Sequence, residues 1–457
     1  MKKFLSVAII TIALLAAQKA STQTDVWDGT HTTWTNGSGT QSDPYLIENA
    51  EQLAHLAFIV NNGTGAGTDH TVGTDTYWKM TVNIDLNGSE TFQWTPIGYY
   101  NSGYDFYIFG GHFDGDNHTV ANLFINTATL QMIGLFGYTD GGSISNVGII
   151  SGSVTRQSVQ LAVYAGGIAG YSASTISNCY NMGDVSSSSS FAYSNAGGIA
   201  GRSWSTISNC YNTGNVSSSS YAGGIAGSSN GAINNCYNTG NVSSSSDNYY
   251  SFSGGIAGDS GSTISNCYNT GNVSSSSYAG GIAGGSWSTI SNCYNVGSIT
   301  GDNKYGIAED TVINSYYLLS CGATQGGIFK TEVFMKTQEF VDLLNATDIV
   351  YAMDEAPFIN NAYPVFIWQT NGTATVAVIN KSDVVSVFPN PANDLLNFST
   401  PAKITNIEIF NIVGQIVYQS KYNDNEIGIN ISHFKSGSYT VKIYSTNNII
   451  TKQFIKN

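Results

Sequence analysis

The chain has 457 residues and a formal charge of −14, with 10% of its residues charged where a typical globular protein has about 25%. Sixteen Lys and Arg against thirty Asp and Glu leave no basic surface to neutralise phosphates, which argues against nucleic acid as a partner. Fifty-one Gly, seven Pro and 12% aromatics suit neither a Pro-rich linker nor a highly charged disordered chain, so this sequence has to pack.

Lys2 and Lys3 precede an apolar run from Phe4 to Ala17 that is too short to span a bilayer, and residues 1–20 are read as a secretory signal cleaved between Ala17 and Gln23. No later apolar run is long enough to cross a membrane, so the mature chain is expected outside the cell or on its outer surface, without a membrane span. Residues 24–130 are expected to hold an N-terminal cap and the first coils of a repeat structure. Ile47 to Val60 shows apolar residues at helical spacing behind Asp43 and Pro44, a helix suited to plugging an open end. Asp114, Asp116 and His118 in FDGDNH form the densest polar cluster. It reads either as a metal site or as a tight turn of Asp-Gly and Asp-Asn dipeptides. The turn is preferred, because further acids spaced after it are missing, and no metal or cofactor is expected.

Repetition dominates residues 131–320. GGIAG occurs at Gly166, Gly197, Gly223, Gly254 and Gly280, and an NCYN follows each time, placing Cys179, Cys210, Cys236, Cys267 and Cys293 at intervals of 31, 26, 31 and 26 residues. Each long unit carries its extra residues after a Ser run. With no Pro between Pro96 and Pro357, every strand can donate hydrogen bonds to both neighbours, as one coil of a β-solenoid requires. Ile207 and Cys210 are out of phase for a straight strand; a bend at Asn209, a residue type that tolerates left-handed backbone, lets Ile207, Cys210 and Val216 all face inward. The repeated corner predicts a ladder of amides through Asn178, Asn209, Asn235, Asn266 and Asn292, beside a ladder of buried thiols from the five repeat cysteines.

The same phase turns Tyr180, Tyr211, Tyr237, Tyr268 and Tyr294 outward as a stripe, expected to stabilise the sheet by stacking. The Ser runs are expected on the outer face. Aromatic residues of the insertions and of one turn are the candidate ligand contacts: Phe191, Tyr193, Trp204, Tyr249, Tyr250, Phe252 and Trp287. From Gln157 to Gly301 the charged residues are Arg202, Asp184, Asp247 and Asp259, with no His or Lys, so the solenoid body lacks the titratable groups that acid-base catalysis needs. GSSNG at Gly227 to Gly231 fits a nucleophile motif by letters alone and is read as a repeat turn. No catalytic residue is expected.

Phe334 to Leu344 has the pattern of a second covering helix, within a cap spanning residues 321–375 and followed by a linker at 376–383. From 384 to 457, short alternating strands such as IEIFNIVGQIVYQ and GSYTVKIYS with Gly or Asn turns predict a small antiparallel sandwich.

Two resemblances follow from these motifs. GLFG at Gly134, the GGIAG units and ISNCYNTGNV resemble GLUG-motif repeats, found in surface proteins and adhesins of bacteria, and DPYLIENAEQLAHLAFIVN and AYPVFIW are similar to the lead-in and closing segments of that family. VFPNPANDLLNF, IVGQIVY and SGSYTVKIY resemble the C-terminal sorting domain of the type IX secretion system of Bacteroidetes. This likeness implies the type IX secretion machinery as a partner for residues 384–457, and removal of the domain after export. The expected fold is all-β: a right-handed parallel β-helix of about ten coils with short capping helices, then the small antiparallel sandwich. The expected role is a non-enzymatic binding protein, an adhesin for glycan or protein ligands; the alternatives are a polysaccharide-degrading β-helix enzyme or a structural surface-layer protein.

Overall fold

The structure is a computed structural model that describes residues 24–63, 69–100, 106–190, 193–246, 250–370, 386–388, 392–411, 415–445 and 449–457. The expected signal segment 1–20 and linker 376–383 lie outside the described residues. Two compact units divide the chain between Phe366 and Ile367.

The first unit is the parallel β-solenoid. In one coil the chain passes through strands Val216–Ser218, Tyr221–Gly223, Ala226–Ser229, Ile233–Asn234 and Tyr237–Asn238. Each pairs in parallel with the equivalent strand of the next coil. Among the described residues this builds stacked sheets of 11, 7, 7, 9 and 10 strands. The strands are short because each coil turns several corners in 22 to 32 residues, and the core is the narrow space they enclose. Ile207, Cys210, Val216, Ala222, Ile225 and Ala226 line one coil of it, all buried, and their equivalents repeat along the stack.

The corner residues have left-handed backbone: φ is 53° at Asn178, 52° at Asn209, 54° at Asn235, 52° at Asn266 and 52° at Asn292. Their amides link through Asn146, Asn178, Asn209 and Asn235 at 3.0–3.2 Å and again between Asn292 and Asn314 at 2.7 Å. Along most of its length this ladder is partly open to solvent. A second amide ladder lies deeper. Asn181, Asn212, Asn238, Asn269 and Asn295, the last letter of each NCYN, are buried; each of the first four donates to the next residue's Oδ1 at 2.8 Å and to a glycine carbonyl two residues on.

That deeper ladder explains why GGIAG and NCYN recur together. A Cβ on Gly224 would fall 2.2 Å from the Gly255 carbonyl oxygen and 2.3 Å from Asn238 Cγ. Only glycine lets the backbone pass so close to the asparagine column.

The Ser runs do not lie wholly on the outer face. Strand alternation turns Ser187, Ser189, Ser218, Ser220, Ser244 and Ser275 inward, where all are buried. The hydroxyls satisfy one another across coils: Ser218 Oγ lies 3.2 Å from Ser187 Oγ and 2.8 Å from Ser194 Oγ. Ser217, one residue earlier, faces out and bonds Ser186 at 3.0 Å.

Helix α1 (Ala50–Asn61) begins three residues later than Ile47, because Tyr45–Ile47 pairs with Tyr77–Met80 and Asn49 Oδ1 caps the helix by accepting from Gln52 N–H at 2.9 Å. Its buried face, Leu53, Leu56, Ala57 and Val60, joins the solenoid core.

The far end differs from expectation. Helices α2 (Glu332–Met335) and α3 (Gln338–Leu344) do not plug the end of the solenoid; Met335, Phe340, Val341 and Leu344 pack with Tyr268, Tyr294 and Tyr316 on the flank. The tyrosine stripe presents a large apolar area there, and Phe366, 5.1 Å from the Tyr268 ring, helps cover it. The end itself is closed by the preceding segment, with Cys321 and Ala323 in the core and Ile307 N–H donating to the Gly326 carbonyl at 2.7 Å.

In the second unit, strands Ser386–Phe388, Leu395–Phe410, Ile416–Asn430, Gly437–Ser445 and Ile449–Lys456 form one small antiparallel sheet around a single core. The long strand Leu395–Phe410 spans both halves, and its register shifts between Ser399 and Ile404. That irregularity changes the inward parity from Leu396 and Phe398 to Ile407 and Ile409, all buried.

Candidate binding face

GGI joins two strands of each coil, so their outward residues stand side by side. The first strand supplies the column Tyr164, Asn195, Tyr221, Phe252, Tyr278 and Asn303. The second supplies Tyr138, Tyr171, Arg202, Ser228, Asp259 and Gly285. Just past the second strand, Trp204 and Trp287 occupy equivalent turns three rungs apart, about 14 Å at one strand spacing per rung.

The candidate contacts that fall among the described residues share this face. Trp287 is 81% exposed, Tyr250 70%, Tyr193 57% and Trp204 46%. Phe252 is half-buried, stacked between Tyr221 at 5.4 Å and Tyr278 at 4.9 Å; Tyr193 leans on Tyr221, and Tyr250 meets Tyr278 edge-on. Phe191 and Tyr249 lie outside the described residues. The expected stripe of Tyr180, Tyr211, Tyr237, Tyr268 and Tyr294 runs elsewhere, with rings 4.7–5.0 Å apart and planes within 7°. Tyr180, Tyr211 and Tyr237 are half-buried, and the cap covers Tyr268 and Tyr294.

Five neighbours on the face escaped sequence reasoning: Arg202, Asp259, Tyr171, Tyr221 and Tyr278. A signal existed. The residue immediately after each GGIAG reads Tyr171, Arg202, Ser228, Asp259 and Gly285, the variable position of a nearly invariant repeat, and Tyr221 and Tyr278 occupy the rung of Phe252 once long and short units are aligned.

The electrostatics follow from this packing. The Arg202 guanidinium lies 4.9 Å over the Trp204 ring. Asp259 Oδ1 accepts the Trp287 indole N–H at 3.2 Å. Burial pushes Asp259 above the usual carboxylate value, against the opposing pull of Trp287 and of Arg202 two rungs away. Burial likewise raises the Tyr221 hydroxyl, with Asp259 adding to the shift and Arg202 reducing it. Tyr171 is raised by burial too, with Arg202 and the Trp204 hydrogen bond pulling it back.

A concavity of about 540 Å³ lies near the N-terminal coils, lined by Tyr77, Lys79, His112, Asp114, Ser143 and Ser145 among others. His112 Nδ1 is 2.9 Å from Ser143 Oγ, and the two are register partners on adjacent strands. Asp114 Oδ1 accepts from the Asp116 N–H and from Asn146, while Asp116 pairs with Lys79 at 3.1 Å. The FDGDNH segment is a tight turn with left-handed Asp116 and Asn117. Among the described residues no three His, Cys, Asp or Glu converge as a metal site.

All six cysteines are buried and unbridged. In the repeat ladder, Cys179 N–H points at Cys210 Sγ at 3.4 Å, and the pattern continues to Cys293.

A stacked-coil body with an aromatic outer face, joined to a separate antiparallel unit, defines a two-unit β-solenoid protein. Residues 192–217 match the GLUG motif, and residues 386–457 match the secretion system C-terminal sorting domain. The protein is therefore exported by the type IX secretion system to the outer surface or beyond. Halomucin of Haloquadratum walsbyi is 33% identical over 150 residues, covering 33% of this chain and 2% of that protein. A candidate Gly-rich membrane protein of Evansella cellulosilytica is 29% identical over 130 residues, 28% of this chain and 13% of that protein. The chain thus spans a small fraction of the length of either relative. A candidate immunoglobulin A1 protease from Bacteroides ovatus, known from a crystal structure, has 24% identity and a TM-score of 0.48, with 73% of this chain and 95% of that one covered.

Proposed function

We propose that this exported solenoid is a non-enzymatic binding protein, an adhesin, whose aromatic face receives a glycan. One observation carries the reading: Trp204, Trp287, Tyr193 and Tyr250 stay exposed on a single face beside Arg202 and Asp259. Ring faces next to hydrogen-bonding groups suit sugars, which present apolar C–H faces and hydroxyl edges, and aromatic side chains supply that area with few rotors to freeze. A glycan array probed with the exported protein and with a Trp204→Ala/Trp287→Ala double variant tests it. Glycan signals lost in the variant are expected; signals that survive it intact place the ligand elsewhere.

The hydrolytic alternative draws on the cleft with His112 and Ser143 at 2.9 Å. Their contact is a cross-strand register pair, and Ser143 is held there as any ladder neighbour would be. Turnover of a polysaccharide or ester panel that is abolished by His112→Ala would favour this alternative over the binding role.

A further inference from the structure

We propose that the glycan received by this face carries a carboxylate and that Arg202 is the group that takes it; the inference rests on the glycan reading above. Arg202 is the only Lys or Arg between Arg156 and Lys304. The ion pairs among the described residues, Lys79–Asp116 and Lys336–Glu332, leave it without a carboxylate. Its Nε is buried and has no hydrogen-bond partner. Asp259, the acid on the same column, stands two rungs away, about 10 Å at one strand spacing per rung, and is engaged by Trp287.

A cation held at this face without a counter-ion is left un-neutralised, and an anion reaching the guanidinium from solvent gains a charge-assisted contact. The guanidinium carbon sits 4.9 Å over the Trp204 ring, a cation–π contact that narrows the positions the fork can take before a ligand arrives. The side chain as a whole is only half-buried, so a carboxylate can meet its terminal Nη groups end-on with two parallel bonds, the fork geometry that carboxylates match. Trp204 supplies ring surface at this point, and Tyr221 stands in the neighbouring column, close enough for its hydroxyl to feel the Arg202 charge. The net charge of −14 and the nearby Asp259 disfavour a densely charged polyanion. The fitting ligand is a glycan with isolated carboxylates, of uronic or sialic acid type.

The test is an array in which each acidic glycan is printed both as the free acid and as its methyl ester, alongside neutral glycans. It is probed with the exported protein and with Arg202→Gln and Arg202→Lys, each checked by thermal melting. Binding should concentrate on free acids. Esterification or Arg202→Gln should weaken it about tenfold or more, as loss of a charged bidentate contact implies. Arg202→Lys should retain part of the binding. Equal binding of acid and ester, or hits confined to neutral glycans, would overturn the carboxylate inference and leave the glycan reading standing. Absence of binding to every glycan would overturn both.

Discussion

Asn212 Nδ2 donates to Asn238 Oδ1 across 2.8 Å inside the solenoid, although the two residues are 26 positions apart in the chain and both are fully buried. Asn238 in turn donates to the Gly240 carbonyl and to Asn269 Oδ1. Asn238→Leu leaves three buried polar groups without partners, at about 1–3 kcal/mol each, so a loss of about 3 kcal/mol or more is expected. Asn235→Leu should cost less, because the Asn235 side chain makes a single ladder hydrogen bond, to Asn209 Oδ1, and its own Oδ1 is already buried without a partner. Urea midpoints of the two variants decide; equal shifts would show that the deeper ladder has no special weight.

The close approach of Gly224 to Asn238 yields a matched pair of glycine substitutions. Gly224→Ala forces a Cβ to 2.2 Å from a carbonyl oxygen and should destabilise by about 1–3 kcal/mol or more. Gly261→Ala, whose Cβ would meet nothing closer than 3.7 Å, should be nearly neutral. Comparable melting temperatures for the two would refute the steric account of the repeated glycine.

Acid should weaken the N-terminal end. His55 Nδ1 lies 3.3 Å from His31 Nδ1, and burial, with the charge of His31, holds the His55 pKa below the ordinary value of 6.5. A histidine with a lowered folded-state pKa binds protons more readily when unfolded, so its stabilising contribution is present above about pH 6.5 and lost as the pH falls below it. Melting followed from pH 8 to pH 5 should show this decline, and His55→Gln should flatten it. An unchanged slope in the variant would mean that other groups carry the acid response.

The cysteine ladder should be chemically silent. Burial pushes Cys179, Cys210, Cys236 and Cys267 well above the usual thiol value, and the thiolate is the reactive form. Iodoacetamide at pH 8 should leave these residues unmodified in the native protein and alkylate them once it is denatured, as peptide mass spectrometry would show. Rapid native labelling of Cys210 would contradict a closed core.

Export and folding should separate at the boundary between the two units. A chain ended after Thr370 retains the cap segment that covers Tyr268 and Tyr294, so it should fold as a β-protein yet remain in the periplasm for want of residues 386–457. Its appearance outside the cell in normal amounts would show that the C-terminal unit is not the sorting signal.

Much of this protein was legible in its sequence. The intervals of 31 and 26 residues and the Pro-free span led to stacked parallel strands, because a repeat with one buried face can hide it only against its neighbours. Ile207, Cys210 and Val216 could be placed inward once a left-handed Asn209 reset the alternation. The terminal motifs likewise pointed to the sorting domain.

Tertiary structure alone decided which amide column is sealed from water, which serines turn inward, and where the cap helices lie. Each coil bends several times, and every bend can reset which side the next residue faces, so alternation read along the chain loses its phase after a corner. Contacts such as Gly224 with Asn238, or Phe366 with Tyr268, join residues whose proximity depends on the width of the coil and the path of the cap. For the same reason Arg202 and Trp204 look like ordinary repeat variation until their column is assembled, and only then does a cation without a counter-ion stand against an exposed ring.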